Sequence, residues 1–590
     1  MNQLRSHHNR RVPHPWRRPG SPHNAFCCVG WSFIAPWVGK HALLLATAAL
    51  CFIPAIAFAQ QTRADAEKDP VLKAMLEELG RNQAGLQLKG FEKPFFIEFR
   101  VEDVTTFEAR SEFGASEGSQ SGHQRVARVT VRVGDYKIDS STPRGDGAVE
   151  LTAVQNDPIA LRSALWMAAD EAYKAALDAY AQKQAELKQV QTPPQANDFS
   201  QEKPLISLAG PAAPADLNQY LDENARQIWT LRVARDSGLY RNAAKDSQVQ
   251  YCVASFNARA VTTWIVNSEG AIVRKSAASF QESFGAGTQA ADGMRIDRSF
   301  ASTGATLKDL DSADAFEKHA LDQIASLADL RSAPLVEEEY HGPVLLSADS
   351  STDVLYALLS SGLAATRPRL GTEARTNGPF ASSYHARILP DFLDAVDDPG
   401  INSFQGKSLG GAYDVDDEGV PASAVQLVTD GKLENYLIGR EPVRDLPQSN
   451  GHARATLAGP ARPTLGVLKI TAQNGLLEAD LEKKLLDMAK DRGLTSVYYA
   501  DTMGSGLTPR LLYKLTQDGK RQLVRGATLA DLDQRALRSG IEAAGRDLWM
   551  TNYFGDIPHT VLAPALLLSD VTVKRANEKN AKLPYYPPPD

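Results

Sequence analysis

Apolar spacing sets the first element boundaries. Val71, Leu72, Met75, Leu76 and Leu79 recur at helical spacing behind Asp69-Pro70, a capping acid and a first-turn proline, and Gly80 offers an end. Two strand-like runs follow, "FFIEFRVEDVTTFEARSEF" and "RVARVTVRVGDYKI". In the second, Val129, Val131 and Val133 alternate with Arg128, Thr130 and Arg132, which predicts a sheet with one face toward water. A long helix is predicted from Asp157-Pro158 through "LRSALWMAADEAYKAALDAYAQKQAEL". The pattern then lapses among prolines, and residues 191–214 read as a linker. Beyond it comes a helix over Asp216 to Asp236, strands within "VQYCVASFNARAVTTWIVNSEGAIVRKSAASFQESF", and a helix near "DAFEKHALDQIASLADL". Helix, strands, helix thus occurs twice, consistent with a duplicated unit.

From about Tyr340 the texture changes to short strands between turns: Asp430-Gly431, Gly504-Ser505-Gly506 and Asp518-Gly519. One helix interrupts, "EADLEKKLLDMAKDRG", with Leu481, Leu485 and Met488 on one face and Gly493 at its end. The fold class is α+β. An N-terminal α+β domain spans 60–190 and a middle α+β domain 215–335. A strand-rich antiparallel C-terminal domain spans 340–576, and the "LPYYPPPD" end lies in a flexible tail, 577–590.

The first 59 residues have another character. Arg5, Arg10, Arg11, Arg17, Arg18 and Lys40 occur without any acid, followed by the apolar run "HALLLATAALCFIPAIAFAQQ" and Ala57-Phe58-Ala59. This is the three-part pattern of a secretory signal peptide with an extended basic region, cut after Ala59. The product would be periplasmic or secreted, with no membrane attachment after cleavage; an uncleaved anchor and twin-arginine export are the alternatives. Losing six basic residues leaves 58 against 71 acidic, a net charge of −13, which offers no footprint for nucleic acid. Cys27, Cys28 and Cys51 also leave, so Cys252 is the one remaining cysteine and the mature chain has no internal disulfide. Placed in a strand, Cys252 reads as a small buried hydrophobe.

Candidate chemistry is sparse. Of the six mature histidines, His123, His319, His341, His385, His452 and His559, no two stand at i, i+4, so no helical pair grips zinc. The "EEEYH" run, Glu337 to His341, reads as a solvated charge run. No nucleophile elbow, P-loop or dinucleotide fingerprint occurs. Asp416-Asp417-Glu418-Gly419 is the densest acidic motif. It reads either as a hydrogen-bonded turn or as a substrate-facing acidic loop, since strand alternation sends Asp417 opposite its neighbours.

The stretch "VDDPGINSFQGKSLGGAYDVDDEGVPASAVQLVTDGKLENYLIGREPV", followed by "SNGHARA", closely resembles the core of the TldD/PmbA proteins, a metallopeptidase family also named as modulators of DNA gyrase. "LVRGATL", "VLAPALLLSDVTVKR" and "WIVNSEGAIVRK" extend the resemblance over roughly residues 66 to 575, strongest from about 340. In the catalytic branch the resemblance implies a helix bearing H-E-x-x-x-H, whose histidines bind zinc together with a later cysteine. The corresponding residues here, Ser347 to Thr352, hold no histidine and no glutamate, and no cysteine follows residue 252. That departure resembles the PmbA/TldE branch, so no zinc or other cofactor and no catalytic residue is expected. The resemblance implies a dimer, either a homodimer or a heterodimer with a TldD-like subunit, around an interior groove. Candidates to line that groove are Asp416, Asp417, Glu418, Asn450, Gly451, His452 and Arg454, with Arg454 suited to a peptide carboxylate. The expected role is a non-catalytic subunit that binds peptide or unfolded polypeptide within a proteolytic assembly. An active metallopeptidase with a non-standard metal site and a stand-alone periplasmic binding or scaffold protein are the alternatives.

Overall fold

The computed structural model describes residues 61–142, 146–191, 194–209, 216–242, 248–504 and 507–576. The expected signal segment and the 577–590 tail lie outside the described residues.

The first half contains α1 (Arg63–Ala66), α2 (Pro70–Gly85), β1 (Phe96–Glu112), β2 (Ala115–Arg132), β3 (Ala148–Thr152), α3 (Pro158–Leu187), β4 (Ile206–Leu208), α4 (Glu223–Ser237), β5 (Tyr251–Asn267), β6 (Ile272–Gln289), β7 (Arg295–Gly304) and α5 (Ala313–Ser332). Among the described residues these strands make one seven-stranded sheet, in the order β3-β2-β1-β5-β6-β4, with β7 also on β6. The antiparallel β1–β5 pairing therefore joins the 60–190 and 215–335 segments into a continuous sheet. Helices cover one face. α2 and α3 pack over Phe99, Val101, Val129, Val131 and Trp264, while α4 and α5 pack over Phe107, Phe256, Phe280 and Phe284.

Asp69 shows how local signals become tertiary ones. One carboxylate oxygen accepts the Val71 and Leu72 N–H groups at the start of α2 (2.9 and 3.3 Å). The other accepts Trp264 Nε1 (2.9 Å) and Arg274 Nη1 (3.1 Å), so the cap also pins the helix to β5 and β6. α2 does not stop at Gly80. Its packed face carries it to Gly85, and burial outweighs the roughly 1 kcal/mol that an interior glycine costs. α4 begins at Glu223, not Asp216, because Asp222 caps it through the Ala225 N–H, while Asp216 caps a separate 3-10 turn, Leu217–Gln219. β2 begins ten residues before the alternating run, because the polar stretch from Ala115 pairs with β1 along its length.

The 191–214 stretch is not simply a linker. It supplies β4, parallel to β6, and the buried Asp198-Phe199-Ser200.

The second half holds β8 (Tyr340–Leu346), α6 (Ala348–Leu363), β9 (Leu393–Asp397), β10 (Ser403–Phe404), β11 (Lys407–Ser408), β12 (Val425–Thr429), β13 (Lys432–Leu433), β14 (Ala453–Arg454), β15 (Arg462–Pro463), β16 (Val467–Ala472), α7 (Glu478–Asp491), β17 (Ser496–Met503), β18 (Pro509–Thr516), β19 (Arg521–Val524), β20 (Ala527–Ala530), α8 (Gln534–Ser539), β21 (Ile541–Tyr553) and β22 (His559–Arg575). An eleven-stranded sheet runs β13-β12-β9-β16-β22-β8-β17-β18-β19, with β20 and β21 on β22. It is antiparallel except at β16–β22 and β8–β17. α6 packs on one face through Leu355 and Leu359, and α7 on the other through Leu481 and Leu485. Asp430 and Gly431, at φ 48° and 72°, form the hairpin turn their sequence predicts. The single helix expected in this half is joined by α6 and α8. α6 has an apolar face, and its start is set by Ser347, whose hydroxyl accepts the Ser350 N–H at 2.9 Å.

The face of the first sheet predicted to be wet is covered by loops of the second half. Glu98, Arg100, Glu102 and Arg132 are buried, and Arg128 is half-buried. Arg128 donates to the Ala458 carbonyl (3.0 Å), Glu102 accepts the Ala458 N–H (3.0 Å), and Arg132 pairs with Asp139 (2.6 Å) and Glu441 (3.2 Å). At the centre Arg440 is 0% exposed. It donates to Glu269 (2.5 Å) and the Ser200 carbonyl (2.6 Å), and its guanidinium carbon lies 4.8 and 4.0 Å from the ring centroids of Phe96 and Phe199. Alternation correctly marked the polar face; it could not show that charge meets charge there instead of water.

Removing one partner from such a layer strands the other. Arg440→Ala is expected to cost about 3–5 kcal/mol in a urea titration followed by circular dichroism, because the Glu269 side chain, 10% exposed, would lose its counter-charge and keep the Tyr136 hydroxyl alone. A loss below about 1 kcal/mol would show that Arg440 does not hold the layer together.

Candidate functional site

The Asp416-Asp417-Glu418 loop is tied into the fold on every side. Asp416 is 0% exposed; its Oδ1 accepts the Glu418 and Val420 N–H groups (both 2.9 Å) and its Oδ2 the Ala453 N–H (3.1 Å). Asp417 pairs with Lys275 (2.6 Å) and accepts the Ala455 N–H (2.7 Å). Burial opposes its ionisation, but Lys275, Arg454 and Arg100 outweigh that and hold its pKa at about 2. Glu418 accepts the Arg440 backbone N–H (2.6 Å); burial and neighbouring Asp416 push its pKa up. Glu98, facing it across the layer, is raised to about 7 by burial and then by Glu418. A cavity of about 30 Å³, room for one water, is lined there by Glu98, Arg132, Asp146, Glu418 and Glu441.

The second motif interlocks with the first. Asn450 accepts the Ile438 N–H (2.9 Å) and donates to the Tyr436 carbonyl (2.8 Å). Gly451, at φ 74°, passes so close to Pro421 that a Cβ would lie 2.2 Å from its carbonyl oxygen. What glycine permits here is approach to the chain's own backbone. His452 is buried, with Nε2 3.2 Å from Asp397 and Nδ1 3.0 Å from the Asn450 carbonyl. Arg454 lies over Tyr413 (4.2 Å) and 3.8 Å from Asp417. The structure thus brings all seven sequence candidates together, in a hydrogen-bonded knot beneath the first sheet.

A different constellation stands on α6, the helix that begins at Ser347. Asp349, Thr352, Asp353 and Tyr356 share the side that meets β21 and β22. Thr352 Oγ1 lies 2.8 Å from Thr551 Oγ1, and Tyr553 donates to Asp353 (2.7 Å). His559 stacks on Tyr356 and Tyr553 with centroids 4.6 and 4.8 Å apart, and its Nδ1 faces the Ile557 carbonyl at 3.2 Å. Burial lowers the His559 pKa. Burial, then Asp353 and Asp501, raise Asp349 to about 6, and burial raises Asp353. Asp349 can therefore gain or lose a proton near pH 6. The face falls short of a zinc site built on imidazole and thiolate donors: it offers two carboxylates, hydroxyls and a single histidine, whose Nε2 is buried without a hydrogen-bond partner, and among the described residues no three potential ligands gather. Sequence reasoning marked the Ser347–Thr352 segment but did not pair Asp349 with Asp353, although their i, i+4 spacing was readable. Tyr553 and His559 come from distant strands and gave no local signal.

The other histidines and Cys252 lie elsewhere. His341 is exposed beside Glu339 (3.3 Å) and His385 beside Glu434 (2.7 Å). His319 is exposed near Asp311, and His123 pairs with Asp103 at 2.9 Å. Cys252 is fully buried, its thiol pushed up to about 12 by burial. No helix among the described residues is long and apolar enough to cross a membrane.

Residues 339–575 match the model of the PmbA/TldA metallopeptidase C-terminal domain, and this match supports the chain as a TldD/PmbA family member. No curated protein matches it by sequence. Among solved structures, TldE from Thermococcus kodakarensis is similar at 14% identity and TM-score 0.58, over 85% of this chain and 100% of that one. A proposed DNA gyrase modulator from Thermotoga maritima is similar at 14% identity and TM-score 0.55, with the same coverage. One from Bacteroides thetaiotaomicron is similar at 13% and 0.54, over 87% and 99%. At these identities the likeness speaks for the fold.

Asp349 carries a pH signature. Its folded pKa lies above the ordinary value of about 3.9, so stability is lost progressively as pH rises from about 4 to about 6, in full above that, and not at all below about 4. Asp349→Asn is expected to stabilise by about 1–2 kcal/mol at pH 8, falling to zero near pH 3.5, in urea titrations at both values. Equal effects at the two pH values would contradict the assigned environment.

Proposed function

We propose that this chain is an exported, non-catalytic subunit of a TldD/PmbA-type proteolytic assembly that binds peptide or unfolded polypeptide, alone as a homodimer or beside a TldD-like partner. The observation that carries the reading is the donor set of α6. Where the catalytic branch is expected to bear H-E-x-x-x-H, this helix presents Asp349, Thr352, Asp353 and Tyr356 to β21 and β22. Hydrolysing a peptide bond near neutral pH by zinc requires protein ligands that hold the ion and lower the pKa of its water to about 7. Carboxylates with hydroxyls suit a hard cation instead. Similarity to a structure called TldE agrees with the partner role. Export rests on the basic region, apolar run and Ala57-Phe58-Ala59; cleavage there leaves every described residue in the mature chain.

The Asp349–Asp353 pair keeps one rival reading in view, a peptidase working through these carboxylates. One preparation tests both. Protein purified from the host's export fraction is expected to begin at Gln60 by mass, to carry well under one zinc per chain, and to bind peptides without cleaving them. A cytoplasmic full-length product would overturn export. Stoichiometric zinc with chelator-sensitive cleavage, or cleavage abolished by Asp353→Asn, would overturn the non-catalytic role.

A further inference from the structure

The first sheet extends past the charged layer, and over its open end lies a cleft of about 510 Å³. Its floor is four strands wide. Register places Gly122, Thr106, Arg259 and Ser279 in one row across β2, β1, β5 and β6, and Gln120, Glu108, Asn257 and Gln281 in the next. Alternation puts both rows on the face opposite the Phe107, Phe256 and Phe280 core. Phe554 and Gly555, just beyond the end of β21, add a wall from the second half.

Arg259 is the group in this cleft whose bonding is unspent. It is half-buried between Thr106 and Ser279, side chains too short to satisfy a guanidinium, with Gly122 beyond them. Among the described residues no hydrogen bond or ion pair engages it; Glu102 and Asp556 act on it only through space. Glu108, the acid in the neighbouring row, is held by Gln120 Nε2 at 2.8 Å. Burial lowers the Arg259 pKa, as expected of a cation drawn out of water without a partner. The contrast with Arg132 and Arg440, each paired with carboxylates, marks the position as open toward a ligand.

We propose that this cleft binds a peptide through a carboxylate, with the Arg259 guanidinium forking onto it and the side-chain amides of Asn257 and Gln281 facing the adjoining backbone. Arginine suits the task because its planar fork matches a carboxylate's two oxygens. The amides offer both donor and acceptor, as a peptide unit requires; Gln281 Nε2 donates one proton to Ser283 Oγ (3.1 Å) and has a second to offer. The volume falls within the range of ligand pockets. The inference rests on the peptide-binding reading above and adds what part of the peptide is recognised. The carboxylate can come from a chain terminus or from an acidic side chain.

Three dye-labelled alanine-rich hexapeptides separate the sources when titrated by fluorescence anisotropy into the mature chain: one with a free C-terminal carboxylate, its C-terminal amide, and the amide with one internal glutamate. At least one carboxylate-bearing peptide is expected to bind about ten- to a hundredfold more tightly than the neutral amide, the range for a charged hydrogen-bond pair. Arg259→Gln is expected to erase that preference and Arg259→Lys to keep part of it, both with the parent's unfolding midpoint. Preference for the free terminus alone identifies a C-terminus reader, and for the glutamate alone an acidic-side-chain reader; either supports the proposal. Equal binding of all three peptides, or a preference that survives in Arg259→Gln, would overturn it while leaving the peptide-binding reading intact. Binding of none would overturn both.

Discussion

The structure depends on matching charge across the junction between its two sheets. Glu98, Arg100, Glu102, Arg128 and Arg132 project from β1 and β2 into a layer that also receives Asp417, Glu418, Arg440 and Glu441. Taking such groups out of water is costly, and the cost is offset only when each finds a partner of good geometry. Arg440 sits at the centre of this layer, with a carboxylate and a carbonyl on Nη2 and two aromatic rings close to its guanidinium. The layer resists sliding because a shifted register would leave several charges unpaired at once.

This constraint accounts for the two loop motifs. Asp416 organises its own turn and holds Ala453, while Gly451 passes against Pro421, so the acidic loop and the Asn-Gly-His loop set one another's positions. Together they aim Asp417, Glu418 and Arg440 at the first sheet. Their residue types look catalytic, but the carboxylates of Asp416, Asp417 and Glu418 accept backbone N–H groups of their own and neighbouring loops. Chemistry with uncommitted groups lies elsewhere: the half-buried carboxylates of α6 and the unpaired Arg259 of the cleft.

Local periodicity made much of this legible. Asp69-Pro70 and Asp157-Pro158 fixed two helix starts, Val129 to Val133 fixed a strand and its buried face, and Asp430-Gly431 fixed a hairpin. A family resemblance was legible too, because residues 396 to 455 carry a specific run of loop residues. Tertiary pairing was not. That β1 joins β5, that β4 forms within a proline-bearing stretch, and that the Arg128–Thr130–Arg132 face is covered depend on contacts over a hundred residues apart or more, or on segments with no periodicity of their own. The α6 constellation failed for the same reason: Asp349 and Asp353 are local, whereas Tyr553 and His559 arrive from 200 residues away.

If the charged layer couples the two sheets, neither can unfold while the other stays native. Scanning calorimetry of the mature chain at pH 7, with far-ultraviolet circular dichroism and, in a variant with Trp166, Trp229 and Trp549 replaced by phenylalanine, Trp264 emission recorded over the same range, tests this most directly. The account predicts one transition, coincident by all three probes, with equal calorimetric and van't Hoff enthalpies. Two resolved transitions, with Trp264 reporting only one of them, would contradict it.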